Sequence, residues 1–267
     1  MTVRAELYLD RRSERAEEVE FCGGRAVLFS ARKPDREGPN QDALLRAETD
    51  AGTGVLAVAD GAGGEASGAR ASAAALKALK AHLAAHEEGA LRETILTGFE
   101  QANLAVKELG VGAATTLAVV QFENGSVRSY HVGDSLVLVV GQRGRRKHET
   151  IAHGPVGYAV EAGVLDEQAA LHHEERHLVS NMVGLPDMRV EMSAGLRLAP
   201  RDTLLLASDG LSDNLHVGEI VEIIRKGPLG KAADALAAAA ARRMAEPTEG
   251  APSKPDDMTF ILYRPGL

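Results

Sequence analysis

The chain has 267 residues, a net charge of −8, 45% hydrophobic residues and 3% aromatic residues. This composition is typical of a soluble globular protein, and the acidic balance argues against a general nucleic-acid partner, which would need a basic face. The single cysteine excludes an intramolecular disulfide and fits the cytoplasm, and the chain shows neither a secretory signal nor an apolar run of membrane-spanning length.

The first part of the chain predicts short strands and loops. Residues 1–20 are highly charged and form either a loose leader or an edge strand. Short apolar runs flank the Gly23-Gly24 turn, and a loop with two prolines follows from Lys33 to Pro39. A buried strand then runs from Val55 to Ala59 and ends at Asp60.

Two helices and three strands are predicted next. The chain becomes helical from Ala69, and apolar residues at spacings of three and four mark one face of this helix. A second helix runs from Leu91 to Leu109, so an antiparallel helix pair is expected. The strands that follow are Thr115 to Phe122, Val127 to Val132 and Leu136 to Val140, the first two joined by an Asn-Gly hairpin turn.

The last part of the chain predicts a strand, a second helix pair and a closing strand. These elements are Thr203 to Ala207, Val217 to Arg225, Lys231 to Met244 and Met258 to Tyr263. Local hairpins and segregated helices favour an α+β fold with antiparallel sheets. No repeat or linker divides the chain, so residues 1–267 are expected to form a single domain.

Four aspartates stand at the ends of apolar, strand-like runs: Asp60, Asp134, Asp209 and Asp256. Asp-Gly between apolar runs is also a common hairpin turn. After Asp60 and Asp209, however, the chain continues into a helix instead of a returning strand. The four carboxylates therefore suggest a centre for a hard divalent cation such as Mg²⁺ or Mn²⁺.

Six short elements, in the same order along the chain, resemble those of the metal-dependent Ser/Thr protein phosphatases (protein phosphatase type 2C). They span residues 40–262, nearly the whole chain. The elements are Asn40-Gln41-Asp42, Val58-Ala59-Asp60-Gly61-Ala62-Gly63-Gly64, Ala114-Thr115-Thr116, Val132-Gly133-Asp134-Ser135, the run from Leu205 to Asp213, and Asp256-Asp257-Met258-Thr259.

The resemblance implies a four-layer αββα sandwich of two antiparallel sheets, each covered by an antiparallel helix pair. It implies a monomeric phosphatase that acts on phosphoserine and phosphothreonine in proteins. Two to three Mg²⁺ or Mn²⁺ ions would be bound, and a hydroxide bridging two of them would attack phosphorus. The flap at about residues 153–190 would govern the substrate, which the sequence does not name.

The same resemblance implies a role for each site residue. Asp60 would bridge two ions, and the Gly61 carbonyl would bind the second. Asp209 and Asp256 would bind the first ion. Asp134 would help to hold a third, and Asp42 would orient metal-bound water.

Three positions depart from the family pattern. Gln41 replaces a glutamate, so it can offer the second ion only an amide oxygen. Ala62 stands where many members have a histidine as a proposed proton donor. Glu37 stands at the usual position of a phosphate-binding arginine, and the neighbouring Arg36 is the candidate to replace it.

Two other functions remain open at this point. His173, Glu174 and His177 match the H-E-x-x-H pattern of zinc hydrolases, although the surrounding residues are charged and the short pattern arises easily by chance. The departures at Gln41, Ala62 and Glu37 also fit a catalytically weak, phosphatase-like binding module. The retained aspartates oppose it, because a binding module has no need of like charges held close together.

Overall fold

A computed structural model describes residues 3–35, 37–62, 64–85, 91–110, 112–166, 169–170 and 173–266. Within these ranges the strands form two sheets in which all neighbours are antiparallel. The first sheet has the order β1-β4-β5-β7-β8-β11, with β6 beside β5 and β12 beside β8. Its strands are β1 (Val3–Leu9), β4 (Asp42–Thr49), β5 (Gly54–Ala62), β6 (Ala114–Thr115), β7 (Leu117–Glu123), β8 (Ser126–Val132), β11 (Glu191–Met192) and β12 (Leu196–Arg197).

The second sheet has the order β10-β9-β13-β14-β3-β2. Its strands are β2 (Glu17–Phe21), β3 (Gly24–Ala31), β9 (Leu136–Val140), β10 (Arg146–Glu149), β13 (Thr203–Ala207) and β14 (Met258–Pro265). The two central strands, β13 and β14, are buried along most of their length. Such strands read as continuous apolar runs in the sequence.

A helix pair covers the outer face of each sheet. The first pair is α1 (Glu65–Ala84) and α2 (Leu91–Lys107), and the second is α5 (Val217–Ile224) and α6 (Leu229–Ala245). Shorter helical segments include α3 (Pro155–Glu161), α4 (Asp209–Ser212) and a 3₁₀ turn at Glu174–His177.

Three apolar clusters hold these layers together. One lies between the first sheet and its helices, where α1 buries Leu76, Leu79 and Leu83. The second lies between the other sheet and its helices, where alanines of α6 allow a close approach. The third fills the space between the sheets. The prediction of a four-layer αββα sandwich is confirmed.

Two features differ from the expectations. Residues 3–9 and 17–21 form edge strands of the two sheets, so the alternative of a loose leader is wrong for them. Strand β4 was not predicted, because the Asn-Gln-Asp element at its start resembles a turn.

Among the described residues, no helix combines the length and the apolar character that crossing a bilayer requires.

Candidate metal centre

The predicted carboxylates meet at one edge of the sandwich, where the two sheets face each other. Asp42 begins β4 and lies opposite Asp60 of β5 in the first sheet. Asp209, the first residue of α4, is separated from β13 only by Ser208, and Asp256 lies just before β14, so both are placed by strands of the second sheet. Asp134 lies in the turn from β8 to β9, which joins the sheets.

Electrostatic repulsion shows that these groups share one environment. Burial, followed by the charges of Asp42, Asp209 and Asp134, raises the pKa of Asp60 well above its usual range. Burial and the charges of Asp257 and Asp209 raise the pKa of Asp42 to about 8, against the lowering effect of a hydrogen bond. Full ionisation of this cluster is therefore unfavourable unless cations are present.

The other two carboxylates behave in the same way. Burial and the charges of Asp209 and Asp213 raise the pKa of Asp134 to about 7. Burial, together with Asp213 and Asp256, also raises the pKa of Asp209. Asp213, at the end of α4, thus belongs to the same charged cluster, and the sequence reasoning assigned it no role.

One lysine ammonium lies inside this cluster. The Nζ atom of Lys254 is 2.5 Å from Oδ2 of Asp209, 3.0 Å from Oδ2 of Asp213 and 3.2 Å from Oδ2 of Asp256. Burial by itself would lower the pKa of Lys254, but the neighbouring carboxylates raise it well above its usual value. The position of Lys254 was not predicted, since this residue lies in a loop rich in proline and glycine.

The donor set fits hard divalent cations. It consists of carboxylate oxygens, which Mg²⁺ and Mn²⁺ prefer. Oδ1 of Asp42 is buried and has no hydrogen-bond partner in the described part of the chain, so it is left as an open acceptor beside the other carboxylates. An open buried acceptor and a set of repelling carboxylates are both stabilised by bound cations.

Two threonines hold Asp60 in place. The backbone N–H of Asp60 donates to Oγ1 of Thr116 at 3.0 Å, and Oγ1 of Thr115 donates to the Asp60 carbonyl at 2.7 Å. The hydroxyls of Thr116 and Ser135 also lie 2.7 Å apart, which ties the turn that carries Asp134 to the end of β5. These contacts give the Ala-Thr-Thr element of the sequence a structural reason.

Asp257 holds the loop that leads into β4. Its Oδ2 accepts a hydrogen bond from the Gln41 backbone N–H at 2.7 Å, and its Oδ1 accepts one from the Lys33 N–H at 2.6 Å. The side-chain amide of Gln41 donates to the Gly64 carbonyl at 3.0 Å. This contact is a use of Gln41 that the sequence did not indicate, and its role as a metal ligand stays a prediction.

Gly61 allows the end of β5 to lie against the first turn of α1. A Cβ atom at this position would be 2.1 Å from the carbonyl oxygen of Gly68, which no packing could accommodate without moving the backbone. A glycine directly after Asp60 is therefore required by the close approach of two backbones. The proposed role of its carbonyl as a ligand of the second ion stays a prediction.

Arg36, in the loop before β4, is the predicted phosphate-binding arginine. Arg36 lies outside the described residues, and Glu37 is exposed. Arg176, in the flap, donates from Nη2 to Oδ1 of Asp213 at 2.5 Å. This arginine brings a second positive charge to the cluster. Sequence reasoning missed it, because it stands at a free position of the H-E-x-x-H pattern.

The H-E-x-x-H pattern does not build a zinc site. Glu174–His177 is a single 3₁₀ turn, in which residues four apart do not share a face, and His173 lies outside it. The ring of His173 accepts a hydrogen bond from the Glu175 backbone and is exposed. The zinc hydrolase alternative therefore lacks the geometry that it needs.

Another group of possible ligands, His131, His153 and Glu191, lies between the flap and the core. Nδ1 of His153 faces two donors, the Gly133 N–H at 3.1 Å and the Asn181 amide at 2.9 Å. Its hydrogen is therefore on Nε2, which lies 3.3 Å from Glu191. The two imidazoles are stacked with their centroids 4.3 Å apart. Both ring nitrogens of His153 thus make hydrogen bonds, and His153 connects the flap to the turn that carries Asp134.

The profile of the protein phosphatase 2C family matches residues 32–226, more than half of the chain. A putative protein phosphatase 2C-type protein of Streptococcus pyogenes is 29% identical over 194 residues, which are 69% of this chain and 78% of that protein.

Two solved structures are also similar. The PPM Ser-Thr phosphatase MsPP of Mycobacterium smegmatis, in complex with cacodylate, is 30% identical with a TM-score of 0.73, over 90% of this chain and 98% of that one. The catalytic domain of the phosphatase PstP, in complex with two manganese ions, is 26% identical with a TM-score of 0.67, over 90% of this chain and 97% of that one.

Proposed function

The chain belongs to the protein phosphatase 2C family and is a protein-serine/threonine phosphatase, and we propose that Mg²⁺ or Mn²⁺ ions held at the carboxylate cluster carry its activity. The observation that supports this site is the meeting of Asp42, Asp60, Asp134 and Asp209 at one edge, each with a raised pKa. Like charges brought together in this way are costly unless cations neutralise them.

The roles of the individual ligands follow from the resemblance and from the placement of the residues. Asp60 would bridge two ions, and the Gly61 carbonyl would complete the second site with Gln41. Asp209 and Asp256, which lie next to the ends of the neighbouring strands β13 and β14, would hold the first ion. Asp134, in the turn between the sheets, would contribute to a third.

When bound, a pair of divalent ions supplies Lewis acidity and lowers the pKa of water for in-line attack on phosphorus. In this proposal Asp42 would receive a proton. Oδ2 of Asp42 accepts the hydrogen of the Ser208 hydroxyl at 2.7 Å, which leaves Oδ1 as the open acceptor. Oδ1 of Asp42 would then orient the attacking water and take up its hydrogen.

The leaving alkoxide needs a proton from another source. Ala62 offers none, so the donor would be solvent water or a side chain that reaches the site from the flap. Arg176 is the flap residue that lies against the cluster, through its contact with Asp213. By holding the flap against the cluster, Arg176 would help to orient the peptide part of the substrate.

We propose further that the protein acts as a cytoplasmic monomer on phosphorylated proteins, opposite a protein kinase in signalling. The acidic net charge and the single cysteine support this setting. Neither a nucleic acid nor a membrane is expected as a partner, because an acidic surface repels phosphates.

The direct test is hydrolysis of a phosphothreonine peptide and of an aryl phosphate in Mn²⁺, in Mg²⁺ and in excess chelator. We expect activity with either ion, loss of activity in chelator, and a loss of about a thousandfold in Asp209→Asn, the upper end of the effect of removing one group that stabilises a transition state. Asp50→Asn, an exposed aspartate outside the cluster, is the matched control and should retain full activity.

A phosphatase-like binding module is the second candidate, and the departures from the family pattern at Gln41, Ala62 and Glu37 are what favour it. In that case the phosphopeptide would bind in the presence of Mn²⁺ without being hydrolysed. Turnover that disappears in Asp209→Asn, while the variant keeps its fold, would exclude this alternative.

A further inference from the structure

Lys254 occupies the place that the first metal ion would take. Two of its three carboxylate partners, Asp209 and Asp256, are the residues to which the first ion is assigned. The third partner, Asp213, lies 3.0 Å from Nζ and connects the ammonium to the flap through Arg176. An ammonium group and a divalent cation cannot both lie among the same oxygens at these distances.

The backbone of Lys254 is fixed by a buried side chain. Oδ1 of Asn214 accepts a hydrogen bond from the Lys254 N–H at 2.9 Å, and Nδ2 of Asn214 donates to the Lys254 carbonyl at 2.8 Å. Asn214 is fully buried and also donates to the Gly210 carbonyl at 2.9 Å, next to Asp209. The position of the lysine is therefore set by the same segment that carries the metal ligand.

The neighbours of Lys254 restrain it further. Pro255 limits its backbone to extended conformations. The hydroxyl of Ser253 donates to the Arg243 carbonyl of α6 at 2.9 Å. The backbone of the loop is thus held on both sides of Lys254, and the movable part is its four-carbon stem. The Lys254 side chain is 38% exposed, so solvent offers the ammonium a way out of the cluster.

We propose that Lys254 is a tethered cation that fills the first-ion position of the metal-free enzyme and must be displaced before that ion binds. The proposal rests on the proposed function, since it concerns the same carboxylates. Lys254 would stabilise the empty centre and compete with the entering ion for its oxygens. It would thereby set the metal concentration at which the phosphatase becomes active.

Lys254 would compete mainly with the first ion and much less with the second. The ion pairs of Lys254 involve Asp209, Asp213 and Asp256. Asp60 and the Gly61 carbonyl, which would hold the second ion, are not among them. Lys254 would therefore weaken binding of the first ion and leave the second with little direct competition.

The test measures Mn²⁺ binding by titration calorimetry on the full chain, which needs no turnover. Lys254→Met removes the charged ammonium and keeps an unbranched apolar side chain one atom shorter, and Lys254→Arg keeps the charge. Lys226→Met, at an exposed lysine away from the cluster, is the matched control. We expect Lys254→Met to bind Mn²⁺ about tenfold more tightly or better, because a competing charge is lost at contact distance. Lys254→Arg and Lys226→Met should bind Mn²⁺ with the affinity of the wild type.

Thermal unfolding in chelator is the second measurement. Metal-free Lys254→Met should melt at a lower temperature than the wild type, because the carboxylates lose their cation, and saturating Mn²⁺ should remove the difference. Equal Mn²⁺ affinity and equal metal-free melting temperature of Lys254→Met and the wild type would overturn the proposal. A wild type that binds no Mn²⁺, or binds it no more tightly than Asp209→Asn, would instead overturn the proposed function.

Discussion

The hydroxyl of Ser208 donates a hydrogen bond to Oδ2 of Asp42 at 2.7 Å, although the two residues are 166 positions apart in the sequence. Asp42 begins a strand of the first sheet, and Ser208 directly follows a strand of the second. The bond therefore joins the two sheets at the edge where the carboxylates meet.

Ser208→Ala should reduce activity more than it reduces stability. The buried Asp42 carboxylate loses a partner that holds its orientation, and loss of such supporting contacts costs about 10–100-fold in activity or metal affinity. The stability loss should be about 1–3 kcal/mol, as for a buried hydrogen bond. The measurements are kcat at saturating Mn²⁺ and urea unfolding.

Thr203→Val is the control for this substitution. Thr203 lies on the same strand, at the end far from Asp209, and its buried hydroxyl donates to the Ile224 carbonyl at 3.0 Å. It should lose similar stability and keep its kcat. Equal activity losses in the two variants would show that the effect of Ser208 is a general loss of packing.

The stability of the metal-free protein should fall as the pH rises from about 6 to 9. Asp42 and Asp134 have folded-state pKa values of about 8 and about 7, raised by burial and by their neighbours. An unfolded aspartate titrates at about 4. The folded state therefore binds more protons, and its stabilisation is fully present below about pH 4 and is lost as the pH rises through 7 to 8.

Urea unfolding in chelator at pH 6 and pH 9 measures this dependence. Saturating Mn²⁺ should reduce it, because the ions replace the protons as partners of the carboxylates. Metal-free protein that becomes more stable between pH 6 and pH 9 would contradict the inference that burial and mutual repulsion raise the pKa values of these carboxylates.

Arg176→Ala should raise KM for a phosphothreonine peptide about tenfold and change the values for an aryl phosphate much less. Its contact with Asp213 holds the flap against the cluster, and we expect a peptide, but not a small ester, to reach the flap. Arg225→Ala, which removes an ion pair with Glu222 on α5, is the control. Equal effects on both substrates would place Arg176 at the phosphate itself and not at the peptide.

His173→Ala and His177→Ala should each keep activity within about twofold, and added Zn²⁺ should not support turnover in any of these proteins. Both imidazoles are exposed, and a 3₁₀ turn does not bring them together. The assay compares Mn²⁺ and Zn²⁺ for the wild type and both variants. Zinc-dependent activity that His173→Ala removes would restore the rejected alternative.

Apolar periodicity predicted most of the strands and helices because it is strong where they are buried, whereas the four-layer arrangement was predicted from the family resemblance. It also predicted the aspartates of the centre, since a carboxylate at the end of a buried strand needs a partner. Asp60 and Asp209 are both followed by glycine and a helix, and this local signal survives in the structure.

Other parts of the centre could not be predicted, because they depend on contacts between distant segments. Lys254 reads as a solvated charge in a loop, and its place is set by Asn214, forty residues earlier. Arg176 reads as a spacer in a zinc pattern, and its place is set by Asp213. Strand β4 was missed for a similar reason, because it is defined by pairing with the distant strands β1 and β5, and the turn at Asn40 lies just before it.

The carboxylates reach the centre on two separate sheets, so the apolar filling between those sheets acts as a spacer that sets how far apart they stand. Leu44 and Leu206 are part of that filling, one from each sheet, and both are fully buried. Shaving such a side chain changes the gap between the two halves of the centre without touching a ligand. A substitution between the sheets that leaves the fold intact should therefore still weaken metal binding if it changes the distance between the carboxylates of the two sheets.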